Sequence, residues 1–240
     1  MTFEAATDQR SPETYNCQRH DWVYLSETGW QTLMRAMSDD VPELEAWHKA
    51  GWPLVVRRQD ADVFHDQTTI CVGAALPRAT NAVGQKGRRI ALRVAQAGVR
   101  AVRPPLMLEE VMPLAPIAWQ AALQALLHEA ETLGLVLQVY GSLAFQALTG
   151  VPYVDAQSDL DLLLRVERRE QFNAALQLFA RFSVQLPLDG EIIFPNGLAV
   201  AWKECWQVQP ATDDAQTFVL VKSLTQVKLL SMQALLLSPN

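Results

Sequence analysis

The sequence is short of the features that define several large protein classes. Only three cysteines, Cys17, Cys71 and Cys205, occur in 240 residues, far apart and odd in number, which excludes a disulfide framework and a paired-cysteine zinc motif. The four histidines, His20, His48, His65 and His128, are equally scattered. None has the helical spacing of a metalloprotease site, so any metal is expected on oxygen ligands. No apolar run nears the roughly 20 residues that cross a bilayer. The opening residues are polar, with Glu4 and Asp8, unlike a signal peptide. The chain therefore reads as cytoplasmic, with no membrane partner. No repeat or low-complexity tract is evident. The composition, 50% hydrophobic and 19% charged, is globular and supplies one large domain or two small ones.

Acidic residues are also missing from one long stretch. The formal charge of −6 argues against general nucleic-acid binding, yet Gln67 to Leu108 contains no Asp or Glu. Arg78, Lys86, Arg88, Arg89, Arg93, Arg100 and Arg103 give that stretch +7 and leave −13 on the rest of the chain. Within it, Gly84-Gln-Lys86-Gly87-Arg88-Arg89 sets cations beside flexible glycines, which suits a compact polyanion such as a polyphosphate. A solvated face that balances acids elsewhere in the fold explains the same run, so a separate motif must decide.

Periodicity predicts an α+β protein of two domains. Ser26 or Thr28 is placed to cap a helix reaching Met37, with Trp30, Leu33, Met34 and Met37 at helical spacing. Leu54–Val56 and Thr68–Ala75 read as strands, and Arg88–Val94 alternates Ile90, Leu92 and Val94 against Arg89 and Arg93, a strand with one basic face. Prolines at 104, 105, 113 and 116 interrupt the chain, which divides into an N-terminal α+β domain (1–112) and a C-terminal domain (113–240). In the second domain, a helix is expected over Ile117–Leu133, stopped by Gly134, then a buried strand over Leu135–Tyr140 that turns at Gly141-Ser142 into a short helix. Asp159–Leu164 reads as a strand and Glu167–Phe182 as a helix. Ser183–Leu188 and Glu191–Phe194 suggest a hairpin around Asp189-Gly190, and Leu224–Leu237 an amphipathic helix. The seven tryptophans are spread through these elements and read as packing.

The informative passage is Gly141-Ser142 followed by Ser158-Asp159-Leu160-Asp161. Residues two apart in a strand project to one side, so Asp159 and Asp161 present paired carboxylates while Leu160 and Leu162 face the core. Adjacent unpaired carboxylates repel, and a charge inside an apolar strand is costly to bury without a purpose. A divalent cation removes that cost. Magnesium fits, because one or two carboxylates hold it and water and substrate phosphates fill its other positions. The small Gly141-Ser142 turn, with its backbone amides and hydroxyl, suits a terminal phosphate.

A strand ending in Gly-Ser, a helix, then Ser-Asp-x-Asp on the next strand resembles the nucleotidyltransferase superfamily. More widely, Arg19-His20-Asp21, Lys86–Arg89 before Arg103-Pro104-Pro105, Gly141-Ser142 with Thr149-Gly150 and Tyr153, Asp159–Leu164, and Asp189-Gly190-Glu191 with Ala199–Trp202 resemble one branch. That branch is the malonate decarboxylase holo-acyl-carrier-protein synthases, or phosphoribosyl-dephospho-coenzyme A transferases. The resemblance covers about residues 19 to 230. It implies a C-terminal nucleotidyltransferase-type mixed sheet flanked by helices. It also implies transfer of the phosphoribosyl-dephospho-CoA group from triphosphoribosyl-dephospho-CoA to a serine of the apo acyl carrier subunit of malonate decarboxylase, with release of pyrophosphate. Asp159 and Asp161 would hold Mg²⁺. Here Leu143-Ala-Phe145 follows Gly-Ser, where many small nucleotidyltransferases place an arginine, so the phosphate-binding cation must come from elsewhere. The basic stretch is the natural supplier.

The remaining roles are expectations of the same kind. A third carboxylate is expected on a neighbouring strand, to complete the metal site or accept the serine proton. Glu191, at the head of an apolar strand, fits better than Asp189, which a turn explains equally well. Lys86, Arg88 and Arg89, with Lys222 or Lys228 as additions, are expected to meet the pyrophosphate, although Lys222 also reads as a solvated strand end. His20 and Asp21 have no physical role from sequence alone. Two other readings use the same residues: an ATP-dependent nucleotidyltransferase acting on another small molecule or protein, and a non-catalytic binding module on the same scaffold.

Overall fold

A computed structural model describes residues 15–37, 42–63, 66, 68–76, 88–208 and 217–237. The first half of the chain forms an antiparallel sheet from β1 (Trp22–Leu25), β2 (Leu54–Val56), β3 (Thr69–Ala75), β4 (Arg89–Ala95) and β5 (Val99–Arg103), in the order β4-β3-β2-β1-β5. Helices α1 (Glu27–Ala36) and α2 (Pro42–Ala50) follow β1. Of the two candidate caps it is Ser26 that caps α1, its side chain accepting from the Gly29 amide at 3.0 Å, while Thr28 lies inside the helix.

The second half forms a mixed sheet of seven strands. After β6 (Leu106–Met107) come α3 (Leu108–Val111), α4 (Ile117–Thr132), β7 (Leu137–Val139), α5 (Gly141–Thr149), β8 (Leu160–Arg165) and α6 (Arg169–Phe182). They are followed by β9 (Leu188–Ile193), β10 (Ala199–Ala201), α7 (Trp202–Val208), β11 (Phe218–Lys222), β12 (Val227–Ser231) and α8 (Met232–Leu237). The strand order is β12-β11-β10-β9-β8-β7-β6, and only the β8–β9 pair is parallel, with α6 as its crossover. The chain leaves the first sheet at Arg103 and enters the second at Leu106, across Pro104-Pro105. The α+β class is therefore as the periodicity predicts.

Two expected elements are different. Asp189-Gly190 is not a hairpin turn, because Leu188–Ile193 runs through it as one strand. At Gly190 a Cβ would lie 2.1 Å from the Leu162 carbonyl oxygen, so the glycine serves the close approach of two backbones. The expected C-terminal helix over Leu224–Leu237 begins instead with a strand. The Ser223 amide donates to the Gln226 carbonyl, and the turn sends Val227–Ser231 back along β11; only Met232–Leu237 is helical.

Strand alternation gives the second sheet two unlike faces. Leu160, Leu162 and Leu164 of β8, with Leu188 and Ile192 of β9, enter the main core beside Leu176 and Phe179 of α6. The opposite face carries Asp161, Leu163, Asp189, Glu191 and Ile193, of which Leu163 and Ile193 form a small separate cluster with Ala199. The main core is continuous across both sheets. Phe145 of α5 lies edge-on to Trp22 at 5.0 Å and Trp47 at 6.1 Å, and Tyr153 donates to the Ala75 carbonyl at 2.7 Å. Phe145→Ala would open a cavity at this junction and is expected to cost about 3–5 kcal/mol, read as a lowered urea midpoint.

Candidate active site

A cleft of about 1030 Å³ separates the two sheets. That is the size of a large ligand pocket. On its second-sheet wall stand Gly141, Ser142, Asp159, Asp161 and Asp189, while the first sheet contributes Arg57, Arg58, Ala75 and Arg89. Acids therefore face cations across the gap.

The register of the parallel pair builds the acidic wall. Asp161 of β8 lies directly beside Asp189 of β9, and Asp159, just ahead of β8, lines the same cleft. Burial pushes the Asp161 carboxyl up to about 7; the Asp189 and Asp159 carboxylates add to the shift, and Arg89 opposes it. Asp189 is also 3.6 Å from Lys203 Nζ at the rim. Gly141 opens α5 with φ +68°, and a Cβ there would stand 1.9 Å from Asp161 Oδ2. The carboxylate thus rests against bare backbone at the helix start. The Ser142 hydroxyl lines the cleft with no hydrogen-bond partner among the described residues.

Glu191 is placed differently. It is 4% exposed and lies beside Leu163, one repeat further along the sheet than the Asp161–Asp189 pair. Its Oε1 accepts from Lys222 Nζ at 2.9 Å and Arg19 Nη2 at 3.2 Å, while Oε2 is 3.4 Å from His20 Nε2 and 3.1 Å from Arg19 Nη1. Burial alone would raise the Glu191 pKa, but the His20 hydrogen bond and the charges of Arg19 and Lys222 outweigh it and hold the carboxyl well below the usual range. Burial likewise lowers the His20 pKa, so the ring is neutral at pH 7. His20 itself takes φ +73°, a conformation disfavoured for a side chain with a Cβ. Asp21 steadies that turn by accepting from the Gln18 amide at 2.7 Å.

The basic stretch is dispersed by the fold. Arg89 reaches the cleft, whereas Arg88 turns to Glu43 at 3.6 Å and lines no part of it. Arg93 pairs with Asp60 and Asp62, each at 2.8 Å, beside Arg57 on Asp60. Arg100 and Arg103 lie over the Tyr24 ring at the far edge of the first sheet. Lys86 and Arg78 lie outside the described residues. Lys222 lines the cleft, but Lys228 pairs with Val221 and so projects from the other side of the hairpin. Sequence reasoning missed Arg19 and Arg58 as cleft residues. Arg19 shares in the family resemblance but sits in a short polar segment whose periodicity assigns it no place, and Arg58 follows a three-residue strand with no local signal.

Among the described residues no group of three His, Cys, Asp or Glu side chains is close enough to form a ready metal cage. The acidic wall nevertheless fits a magnesium ion. Such an ion needs only one or two carboxylates, and Asp161 stands beside Asp189 with Asp159 in the same cleft, a grouping of acids whose mutual repulsion a divalent cation relieves.

Comparison with known proteins covers nearly the whole chain. Residues 18–105 match the family model described as "Phosphoribosyl-dephospho-CoA transferase MdcG N-terminal domain", and residues 106–233 match its C-terminal counterpart. A protein of Xanthomonas axonopodis pv. citri named phosphoribosyl-dephospho-CoA transferase is 41% identical over 90% of this chain and 95% of its own length. Proteins of the same name from Bradyrhizobium diazoefficiens and Pseudomonas fluorescens are 33% and 31% identical, over 88% and 84% of this chain and 89% of each relative. No solved structure matches the chain. No helix among the described residues is long and apolar enough to cross a membrane.

Proposed function

The chain belongs to the phosphoribosyl-dephospho-CoA transferase MdcG family, and from that premise we propose that its cleft is a nucleotidyltransferase-type active site. In this reading it transfers the 2′-(5″-phosphoribosyl)-3′-dephospho-CoA group from the 5″-triphosphate precursor to a serine of the apo acyl carrier subunit of malonate decarboxylase. The carrying observation is the meeting of Asp159, Asp161 and Asp189 with Arg58, Arg89 and Lys222 around one cleft. A triphosphate is the kind of donor that needs both walls: carboxylates for its metal and cations for its leaving group.

Asp159 and Asp161 would hold Mg²⁺, which when bound supplies charge neutralisation on the phosphates. The serine hydroxyl of the carrier attacks the α-phosphorus, the bond from that phosphorus to the bridging oxygen breaks, and pyrophosphate leaves. Asp189 is the group assigned to take the serine proton. It adjoins Asp161 in the register and remains accessible at the rim. Glu191 does not suit that post, because both its oxygens are already engaged by Arg19, His20 and Lys222. Gly141 and Ser142 offer amides and a hydroxyl to the donor's phosphates. Of the basic stretch, Arg89 is the residue assigned to the leaving pyrophosphate; Arg88, turned to Glu43, is not.

Donor kinetics test these roles. A charge-assisted contact contributes about 1.5–3 kcal/mol, so Arg89→Ala is expected to raise the KM for the triphosphate about 10- to 100-fold while the KM for the carrier stays within about 2-fold. Equal effects on both substrates would remove Arg89 from the leaving-group site. Pyrophosphate release that persisted in EDTA would remove the metal.

A further inference from the structure

The Arg19–Glu191–Lys222 cluster has more donors than its single carboxylate can use. Arg19 and Lys222 both bond Oε1 of Glu191, so their cationic heads are drawn to one point although Arg19 comes from the first half of the chain and Lys222 from β11. Both also line the large cleft with Asp161 and Asp189. Arg19 meets both carboxylate oxygens, Nη2 on Oε1 and the buried Nη1 3.1 Å from Oε2. The two oxygens of one carboxylate cannot satisfy all the N–H groups of a guanidinium and an ammonium. An ion cluster that only tied the two sheets together would be expected to use all its donors, and well-packed apolar residues can do that task as well. The strained backbone of His20 points the same way, because strain of this kind is retained where a segment must be held for a purpose.

We propose that Arg19 and Lys222 together grip the phosphate chain of the donor, and that Glu191 is the positioning residue that brings the two cations to the same point of the cleft. The inference rests on the reading of this cleft as a triphosphate site. One negative charge shared between two fixed cations leaves the pair net positive, with spare N–H groups on both. Arg19 adds a planar fork that lysine lacks, which suits two oxygens of one phosphate or of adjoining phosphates. The His20 ring, tilted by 43° against Tyr140 at a centroid distance of 4.2 Å, fixes the angle from which Arg19 enters.

The test compares Arg19→Ala, Arg19→Lys and Glu191→Gln with the wild-type full chain. Inorganic pyrophosphate serves as both a calorimetric ligand and a product inhibitor, and the unfolding midpoint is recorded for each protein. Arg19→Ala is expected to weaken pyrophosphate binding and raise the donor KM together, about 10- to 100-fold, with kcat and the carrier KM changed less than about 3-fold. Arg19→Lys should recover part of that loss, and Glu191→Gln should shift the same two quantities in the same direction. If Arg19→Ala does not fold, the lysine and glutamine variants decide. Unchanged pyrophosphate affinity in the folded variants would make the cluster a structural tie and overturn the proposal. So would a Glu191→Gln protein that binds pyrophosphate normally but loses kcat, since Glu191 would then act on the reacting atoms. Wild-type protein that binds pyrophosphate through Arg19 yet transfers no group from the triphosphate would leave this inference standing and sink the proposed transfer.

Discussion

Asp161→Asn is expected to abolish transfer and at the same time to make the metal-free protein more stable above neutral pH. The wild-type carboxyl is raised from 3.8 to about 7 by burial and by Asp189 and Asp159. A carboxyl raised on folding holds its proton in the native state after the unfolded chain has released it. Its contribution to stability is therefore full below about pH 4 and is lost as the pH rises through about 7. At pH 8 the ionised group is a liability that asparagine removes. Each unit of pKa shift corresponds to about 1.4 kcal/mol, and discounting for solvent screening leaves an expected gain of about 1–3 kcal/mol at pH 8 and little at pH 4. Turnover should fall at least about 10²- to 10³-fold, the range seen when one preorganised electrostatic group is lost. Urea denaturation at pH 4, 6 and 8 reads the first effect and single-turnover transfer the second. Adding Mg²⁺ should stabilise the wild type at pH 8 and not the variant. A variant less stable than wild type at pH 8 would mean that the Asp161 carboxylate already has a partner in the folded chain.

Gly141→Ala should damage the same carboxylate from the other side. The new methyl would stand 1.9 Å from Asp161 Oδ2 and 2.7 Å from its Cγ, so the carboxylate must move. Displacement of a reacting group by about 1 Å costs roughly 10²-fold in rate, and that is the expected loss. The backbone at φ +68° adds strain of about 1–3 kcal/mol. Gly150 separates the two effects. It has φ +70° and nothing within 4 Å of where a Cβ would lie, so Gly150→Ala should lose similar stability and keep its activity within about 2-fold. Equal activity losses in both variants would show that backbone strain, not the carboxylate, carries the effect.

Much of the local architecture was legible in the sequence because it is written in short-range patterns. The Asp159-Leu-Asp161 alternation implied a strand with an acidic and an apolar face; β8 begins one residue later, at Leu160, and sets Asp161 opposite Leu160, Leu162 and Leu164, with Asp159 just ahead of it. The Ser26 and Thr28 pair ahead of a helical apolar spacing announced α1, and the alternation over Arg88–Val94 announced β4. What was not legible depends on partners far along the chain. The Asp-Gly pair at 189–190 carries a turn signal, yet Gly190 is needed because Leu162 presses on its backbone, and that neighbour lies 28 residues earlier. Only the parallel register sets Asp189 beside Asp161 and leaves Glu191 one row further on. Counting charges from Gln67 to Leu108 suggested one basic surface. In the fold Arg93 is spent on Asp60 and Asp62, Arg88 faces Glu43, and Arg89 reaches the acids. Arg19 belongs to a segment that carries the family resemblance, but its role was not legible, because that role comes from Glu191, 172 residues away.

The most direct test of the proposed transfer is the intact mass of the apo acyl carrier subunit of malonate decarboxylase after incubation with this protein, Mg²⁺ and triphosphoribosyl-dephospho-CoA. A parallel reaction contains ATP as the donor, and a third uses Asp159→Asn protein. The expected product is a carrier heavier by one phosphoribosyl-dephospho-CoA group in the first reaction alone, with one pyrophosphate released per carrier modified. An unmodified carrier there, with an adenylyl adduct from ATP, would contradict the donor assignment and make the protein an ATP-dependent nucleotidyltransferase.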